Sequence, residues 1–499
     1  MVACALLGAV AVIPIVRTTD KNRLLASKYE DWLKLSVIMQ KIDEMYVDSV
    51  DHAAVTDAAV TAALSALDPH SLYMLPQKLE DSQEELAGNF SGIGIQFNVP
   101  NDTAIVIEVI PGGPAERVGM QPGDRILQVD ETPIAGVRFP QDSMVRRMKG
   151  PTGTNVTVTV SREGETIPFE MSRGRIPTHS VDASFMVGDT VGFIRLSKFS
   201  RTTASEFSEA ARSLEASGMR HLIVDLRDNG GGFFDQALML SNLFLPKDKL
   251  IVYMEGRKRK REDFYSDGRG SFKDTGLTLL VSDGTASSSE IFAGAMQDNG
   301  RAVLVGRRTF GKGLVQEPVD FVDGSGIRIT VARFYTPSGR CIQKPYENYE
   351  ADIYKRYESG EMLAADSMDV SNGGIVPDIF VPIDTTRVGK FYMTCNRKAT
   401  AMRFSSSYFD SHKAELQAIE DYPSLTRYLD SAGLEGKFLA FASSRDGLAP
   451  TPEEWKIEKG YMMTQVRALV GRYSKLGDNA FYHIYLDIDE VYKAAVAAL

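Results

Sequence analysis

Hydrophobic spacing changes character several times along the chain. The first sixteen residues are almost wholly apolar and carry no charge before Arg17. The stretch is shorter than the roughly 20 residues of a full membrane span, so residues 1–16 read as a signal or anchor segment. Residues 25–80 show helical spacing, with Trp32, Leu33, Leu35, Val37, Ile38, Ile42, Met45 and Tyr46 on one stripe and a second stripe over 58–67. Leu67-Asp68-Pro69-His70-Ser71 ends that region. Short strands follow over residues 86–172, among them 105–110 and the alternating Val156, Val158 and Val160. From 174 to 385 strand and helix signals alternate (191–196, 203–216, 221–226, 234–243, 250–254, 277–281, 291–298), which predicts α/β layers. A polar, tyrosine-rich insertion interrupts them at about 341–372. Residues 390–499 return to helix, clearest at 413–420, where Pro423 is expected to stop it, and at 453–476.

The 499 residues can support about three domains, and 43% hydrophobic residues suffice for packed cores, which excludes a disordered chain. A formal net charge of −10 argues against general nucleic-acid binding, and Arg257-Lys258-Arg259-Lys260-Arg261 reads as a solvated loop. Cys4, Cys341 and Cys395 form no metal-ligand or disulfide pattern. His52, His179, His412 and His483 lack metal spacing, His221 opens a core strand, and His70 sits on a helix-ending turn where it reads as structural.

Candidate chemistry concentrates in Asp283-Gly284-Thr285-Ala286-Ser287-Ser288-Ser289-Glu290 and in Thr309-Phe310-Gly311-Lys312-Gly313-Leu314-Val315-Gln316. Ser287 falls between a buried strand and a helix, a junction where unpaired backbone N–H groups, that of Ser288 first, can receive an oxyanion. Ser287-x-x-Glu290 is equally a capping box. Lys312 has an apolar, glycine-rich setting, and desolvation can lower a lysine's pKa enough for it to act as a base. Gln316 can orient the amine, provided the glycines fold the loop back, since four residues of straight strand span roughly 13 Å. Hydroxyl, amine and amide together make the constellation of a serine protease without histidine. A rival motif overlaps it: Gly306 to Gly313 is one residue short of a phosphate-binding P-loop, but Gly313 replaces the required hydroxyl and strands follow where a helix is needed.

These two segments resemble the C-terminal processing peptidases, or tail-specific proteases. The resemblance implies Ser287 as nucleophile, Lys312 as its base, Gln316 as support for the lysine, and a multidomain α/β protein with a Clp-protease/crotonase-like core. Asp225-Leu226-Arg227-Asp228-Asn229-Gly230-Gly231-Gly232 resembles the family segment that gives one backbone oxyanion donor. Some relatives have proline in place of Gly230, which leaves Gly231 or Gly232. Asn89-Phe90-Ser91-Gly92-Ile93-Gly94-Ile95, Pro111-Gly112-Gly113-Pro114-Ala115 and Gly119-Met120-Gln121-Pro122-Gly123-Asp124 together resemble a PDZ domain. That assigns capture of a peptide carboxylate to Gly92, Ile93, Gly94 and Ile95, with the peptide added as a strand to a sheet edge.

The combined expectation is an exported endopeptidase on the periplasmic side of a bacterial envelope, tethered by its N-terminal segment. It would recognise protein C-termini and need neither cofactor nor metal. An activating partner and homo-oligomerisation are compatible with this reading, and nucleic acid is not a partner. The other classes are a catalytically silent PDZ scaffold and a P-loop-like nucleotide binder.

Overall fold

The computed structural model describes residues 20–99, 102–346, 349–364 and 373–499. The expected segment 1–16 and the end of the insertion lie outside these. The chain divides into two compact units at Leu67 and Asp68. In the first, helices Asp20–Met45 and His52–Ser65 follow the two expected stripes, and Asp51 caps the second by accepting the Ala54 N–H at 3.1 Å. Leu33, Ile38 and Met45 of the first stripe stay exposed. No helix among the described residues is long and apolar enough to cross a membrane.

The second unit is built on a six-stranded sheet in the order Val181–Val187, Val191–Leu196, His221–Asp225, Gly276–Val281, Val303–Gly306 and Ile379–Phe380. The first pair is antiparallel and every later pair parallel. Successive strand residues point to opposite faces, and both faces are covered, as parallel sheets require. Ile194, Leu222, Val224, Leu279 and Val281 pack with Phe207, Leu240 and Phe292 from helices Thr203–Ala216, Phe234–Asn242 and Ser288–Asp298. Phe193, Ile223, Leu280 and Val305 pack on the other face with Leu486, Val491, Tyr492 and Ala495. Each large side chain so buried contributes about 1.5–3 kcal/mol. The C-terminal residues are therefore the second layer of the core.

A second sheet joins Leu72–Met74, Gly326–Tyr335, Leu250–Glu255 and Glu262–Tyr265, with Leu314–Asp320 paired on Gly326–Tyr335. Another runs Ile95–Asn98, Ala104–Val109, Arg125–Val129, Asn155–Arg162 and Glu165–Ser172, and Ile95–Asn98 is one of its two edges. The helices after residue 390 enclose a core of their own, on which Ile107 of this third sheet packs, and Arg125 pairs with Asp410 at 2.6 Å.

Pro423 does not stop a helix. It lies in the first turn of Tyr422–Ser431, where its missing N–H costs nothing and Asp421 accepts the Ser424 N–H at 2.8 Å. The preceding helix runs Thr400–Gln417, and the last long one, Pro452–Gly471, ends before the expected 476.

Candidate active site

Three neighbouring parallel strands, His221–Asp225, Gly276–Val281 and Val303–Gly306, end at the same edge, with Asp225 opposite Leu280 and Val281 opposite Gly306. Ligand sites in open α/β sheets form at such carboxyl ends. The loops leaving them carry the glycine triplet, Ser287 and Lys312. This topology is why motifs some 80 positions apart in sequence share one site.

The turn with Ser287 is stitched to the glycine loop. Ala286 N–H and the Ser289 hydroxyl both donate to the Asn229 carbonyl, at 2.9 and 3.0 Å, and the Thr285 hydroxyl donates to that of Leu226 at 2.8 Å. Ser287 has φ 57° and ψ −118°, a strained conformation for a residue with a side chain, of order 1–3 kcal/mol. Strain of this kind presents a nucleophile at a strand-to-helix turn. Of the three adjacent serines, Ser288 and Ser289 are buried, and the Ser288 hydroxyl donates to the Gly232 carbonyl at 2.8 Å; Ser287 is half-buried. Gly231 presses on this turn: a Cβ there would stand 2.8 Å from the Ser288 nitrogen and from the Ser287 Cβ. Its own N–H is donated to Asn229 Oδ1 at 2.9 Å, which leaves Gly232 and Ser288 as the less committed of the expected oxyanion donors.

Glu290 joins the two halves of the site. Its carboxylate is fully buried and accepts the backbone N–H of Ser287 and of Lys312, each 2.9 Å from the same oxygen, and also the Gly311 N–H at 2.8 Å and the Thr309 hydroxyl. Burial pushes its pKa up against the pull of these donors. The same bonds remove the P-loop reading, since the Gly311 and Lys312 N–H groups that would cradle phosphate are taken and the strand Leu314–Asp320 follows.

The Lys312 amine is held below the ordinary lysine pKa, first by burial and then by the positive charge of Arg328, while Glu290 and Asp68 oppose the shift. No described residue accepts a hydrogen bond from it. No hydrogen bond joins it to Gln316 either: across a bulge between Val315 and Gln316 the Gln316 amide N–H donates to the His70 carbonyl, at 2.5 Å.

Residues 190–354 match the model of peptidase family S41 and residues 91–172 that of the PDZ domain. A probable CtpA-like serine protease of Staphylococcus epidermidis is 32% identical over 338 residues, which cover 66% of this chain and 68% of that protein. The chain belongs to peptidase family S41. A carboxyl-terminal-processing protease of Synechocystis is 37% identical over 297 residues, 58% of this chain and 69% of that protein. The solved photosystem II D1 C-terminal processing protease is 27% identical, with 70% of this chain and 86% of that one covered and a TM-score of 0.39. Its family match and its curated relatives make the protein a serine peptidase that carries a PDZ domain.

The candidate site also borders a residue that sequence reasoning set aside. His70 meets Gln316 through its carbonyl and Tyr349 through its ring. Burial first, and then the charge of Lys312, push its pKa down to about 4. Asp68 shapes the turn by accepting the His70 and Ser71 N–H groups, both at 2.8 Å. Asp-Pro-His-Ser carried the signal of such a turn, but nothing local could reveal a partner 246 positions away.

Proposed function

We propose that this S41 peptidase cleaves proteins near their C-termini by a Ser287–Lys312 mechanism. Neutral Lys312 takes the hydroxyl proton as Ser287 attacks the scissile carbonyl, then passes it to the leaving amine. Water hydrolyses the resulting acyl-enzyme. The oxyanion is received by the N–H of Ser288, which at the first turn of a helix has no intrahelical partner, and by a glycine-loop N–H, that of Gly232 in preference to Gly231. Gln316 acts by tying the lysine strand to the His70 turn. The observation that carries the reading is the shared Glu290 oxygen, which fixes the backbones of Ser287 and Lys312 beside each other.

Substrate selection is assigned to the PDZ domain. The free edge of Ile95–Asn98 can accept a peptide strand, and the preceding Gly92, Ile93 and Gly94, with φ +82° at Gly94, form the bend at which a terminal carboxylate would be held. We place the peptidase outside the cytoplasm, where unfolded tails of exported proteins are the natural substrates. The test uses one apolar-tailed peptide with a free, an amidated and a charged C-terminus, on native, Ser287→Ala and Lys312→Ala protein. Cleavage should vanish in both variants and fall when the tail is amidated. Cleavage that persists in Ser287→Ala sinks the mechanism, and equal rates on all three tails sink tail recognition.

A further inference from the structure

We propose that the inserted segment after residue 340 is part of the catalytic machinery, with Arg356 as the positioning residue of the Lys312 loop. This rests on the Ser–Lys reading above. Every buried backbone group needs a partner, and the partners of residues 308–312 divide by type. The N–H groups go to the protease core: Thr309 to Ile375, Phe310 to Thr285 at 2.9 Å, Gly311 and Lys312 to Glu290. The carbonyls go to the insertion. The Arg356 guanidinium donates to the carbonyls of Arg308, Thr309 and Phe310 at 3.2, 3.0 and 3.2 Å, and the Lys344 N–H to that of Gly311 at 3.0 Å. A carboxylate on one side and a guanidinium on the other therefore hold the loop that ends in the general base.

The insertion is anchored for this task. Arg356 is 4% exposed and pairs with Asp352 at 2.9 Å, and Lys344, 2% exposed, pairs with the same carboxylate at 3.1 Å. The Lys344 amine also lies 3.8 Å from the centre of the Phe310 ring and 4.1 Å from that of Tyr349. Arg308 forms a buried pair with Glu361 and donates to the Gly373 carbonyl at 2.8 Å. Tyr349 reaches the His70 ring, so the same segment grips the turn that holds Gln316. Burying this many charges is expensive, and an apolar cover would stabilise as well or better. What the charged web provides is directional grip on named carbonyls, which only the planar fork of arginine can deliver to three at once.

The experiment compares Arg356→Gln and Arg356→Lys with native full-length protein, reading kcat, KM and the pH dependence of kcat, with folding followed by near-UV circular dichroism. Ser287→Ala is run beside them. Arg356→Gln should lower kcat about 100-fold, the scale of an ångström-sized misplacement, with KM nearly unchanged, and should move the kcat inflection to higher pH as Lys312 regains water. Arg356→Lys should recover about a tenth of native kcat, since one ammonium nitrogen cannot stand at both the Nη1 and Nη2 positions that divide the three carbonyls between them. If Arg356→Gln does not fold, Arg356→Lys decides together with Tyr349→Phe, which removes one hydroxyl and should lower kcat several-fold. A folded Arg356→Gln with native kcat and inflection overturns the proposal, as does native kcat in both substitute variants. Loss of the parent reading looks different: cleavage then survives in Ser287→Ala, whatever Arg356 does.

Discussion

The turn that carries Ser287 and the loop that carries Lys312 leave adjacent strands at one sheet edge, yet they are held by different means. The serine turn is short-range. A strand, six connecting residues and a helix follow one another, and the strained turn at Ser287 is bound to the neighbouring glycine loop by backbone carbonyls. The lysine loop has little internal structure. Its shape is imposed by Glu290 from the serine helix, by Arg356 and Lys344 from the insertion, and by His70 from before the PDZ domain. In the proposed mechanism the nucleophile is presented by local geometry, whereas a lysine whose pKa must fall needs burial, and burial draws on the whole chain.

The largest effects are expected at Ser287 and Lys312, the two side chains proposed to act. Ser287→Ala and Lys312→Ala should each lower kcat at least about 10⁴-fold, because nucleophile and base act as a unit. Ser288→Ala and Ser289→Ala should each cost only about 1 kcal/mol from one lost hydrogen bond and keep measurable cleavage. Activity lost in Ser289→Ala but kept in Ser287→Ala would transfer the nucleophile.

Glu290 belongs to both halves, so Glu290→Ala should do what no substitution in one half does. It strands three backbone donors and the Thr309 hydroxyl, at about 1–3 kcal/mol each, and should lower the melting temperature while cutting kcat about 10²–10³-fold. A variant that melts like the native protein would show that the halves are not joined there.

Lys312 sharpens the contrast through pH. Because its folded pKa is depressed by burial, kcat should rise with pH through an inflection below the value of about 10.4 for free lysine. Between the folded value and the ordinary one the unfolded chain binds more protons, so stability rises with pH across that window and is lost as pH falls through it. An inflection at the free-lysine value points to another base. Gln316→Ala, which releases the strand from the His70 turn, should cost about tenfold in kcat.

The smallest effect concerns His70. With its folded pKa near 4 and the ordinary value about 6.5, it should make the denaturation midpoint fall as pH drops from about 6.5 towards 4. His70→Asn should flatten that slope. An unchanged slope would remove His70 from the buried surroundings of Lys312.

The same contrast governs what could be read without coordinates. Strand 277–281 and the helix after Ser287 were legible because periodicity and capping are local, although the helix starts at Ser288 rather than Ile291. The Glu290 carboxylate was visible only as a cap. Its bonds to Gly311 and Lys312 span 21 and 22 positions and depend on which strands are neighbours. The insertion looked like a polar excursion because Arg356, Lys344 and Glu361 are charged, and charge in sequence reads as solvent. Its buried ion pairs reverse that inference only once Arg308 and Asp352 are in place. Pro423 misled for a related reason, since proline both ends and begins helices and only the Asp421 cap separates the two cases.

The second face of the protease sheet is closed by Leu486, Val491, Tyr492 and Ala495, and Asp489 beside them pairs with Arg227 at 2.5 Å, two residues after the strand end at Asp225. During synthesis Ser287 is joined to the chain some 200 residues before these groups exist, about 10–40 s at 5–20 residues per second. Throughout that interval Phe193, Ile223 and Leu280 lack their cover, and the loop after Arg227 lacks its outer tie. On the proposed mechanism a nascent chain is then inert towards its neighbours, and proteolytic competence is expected only with the last helix.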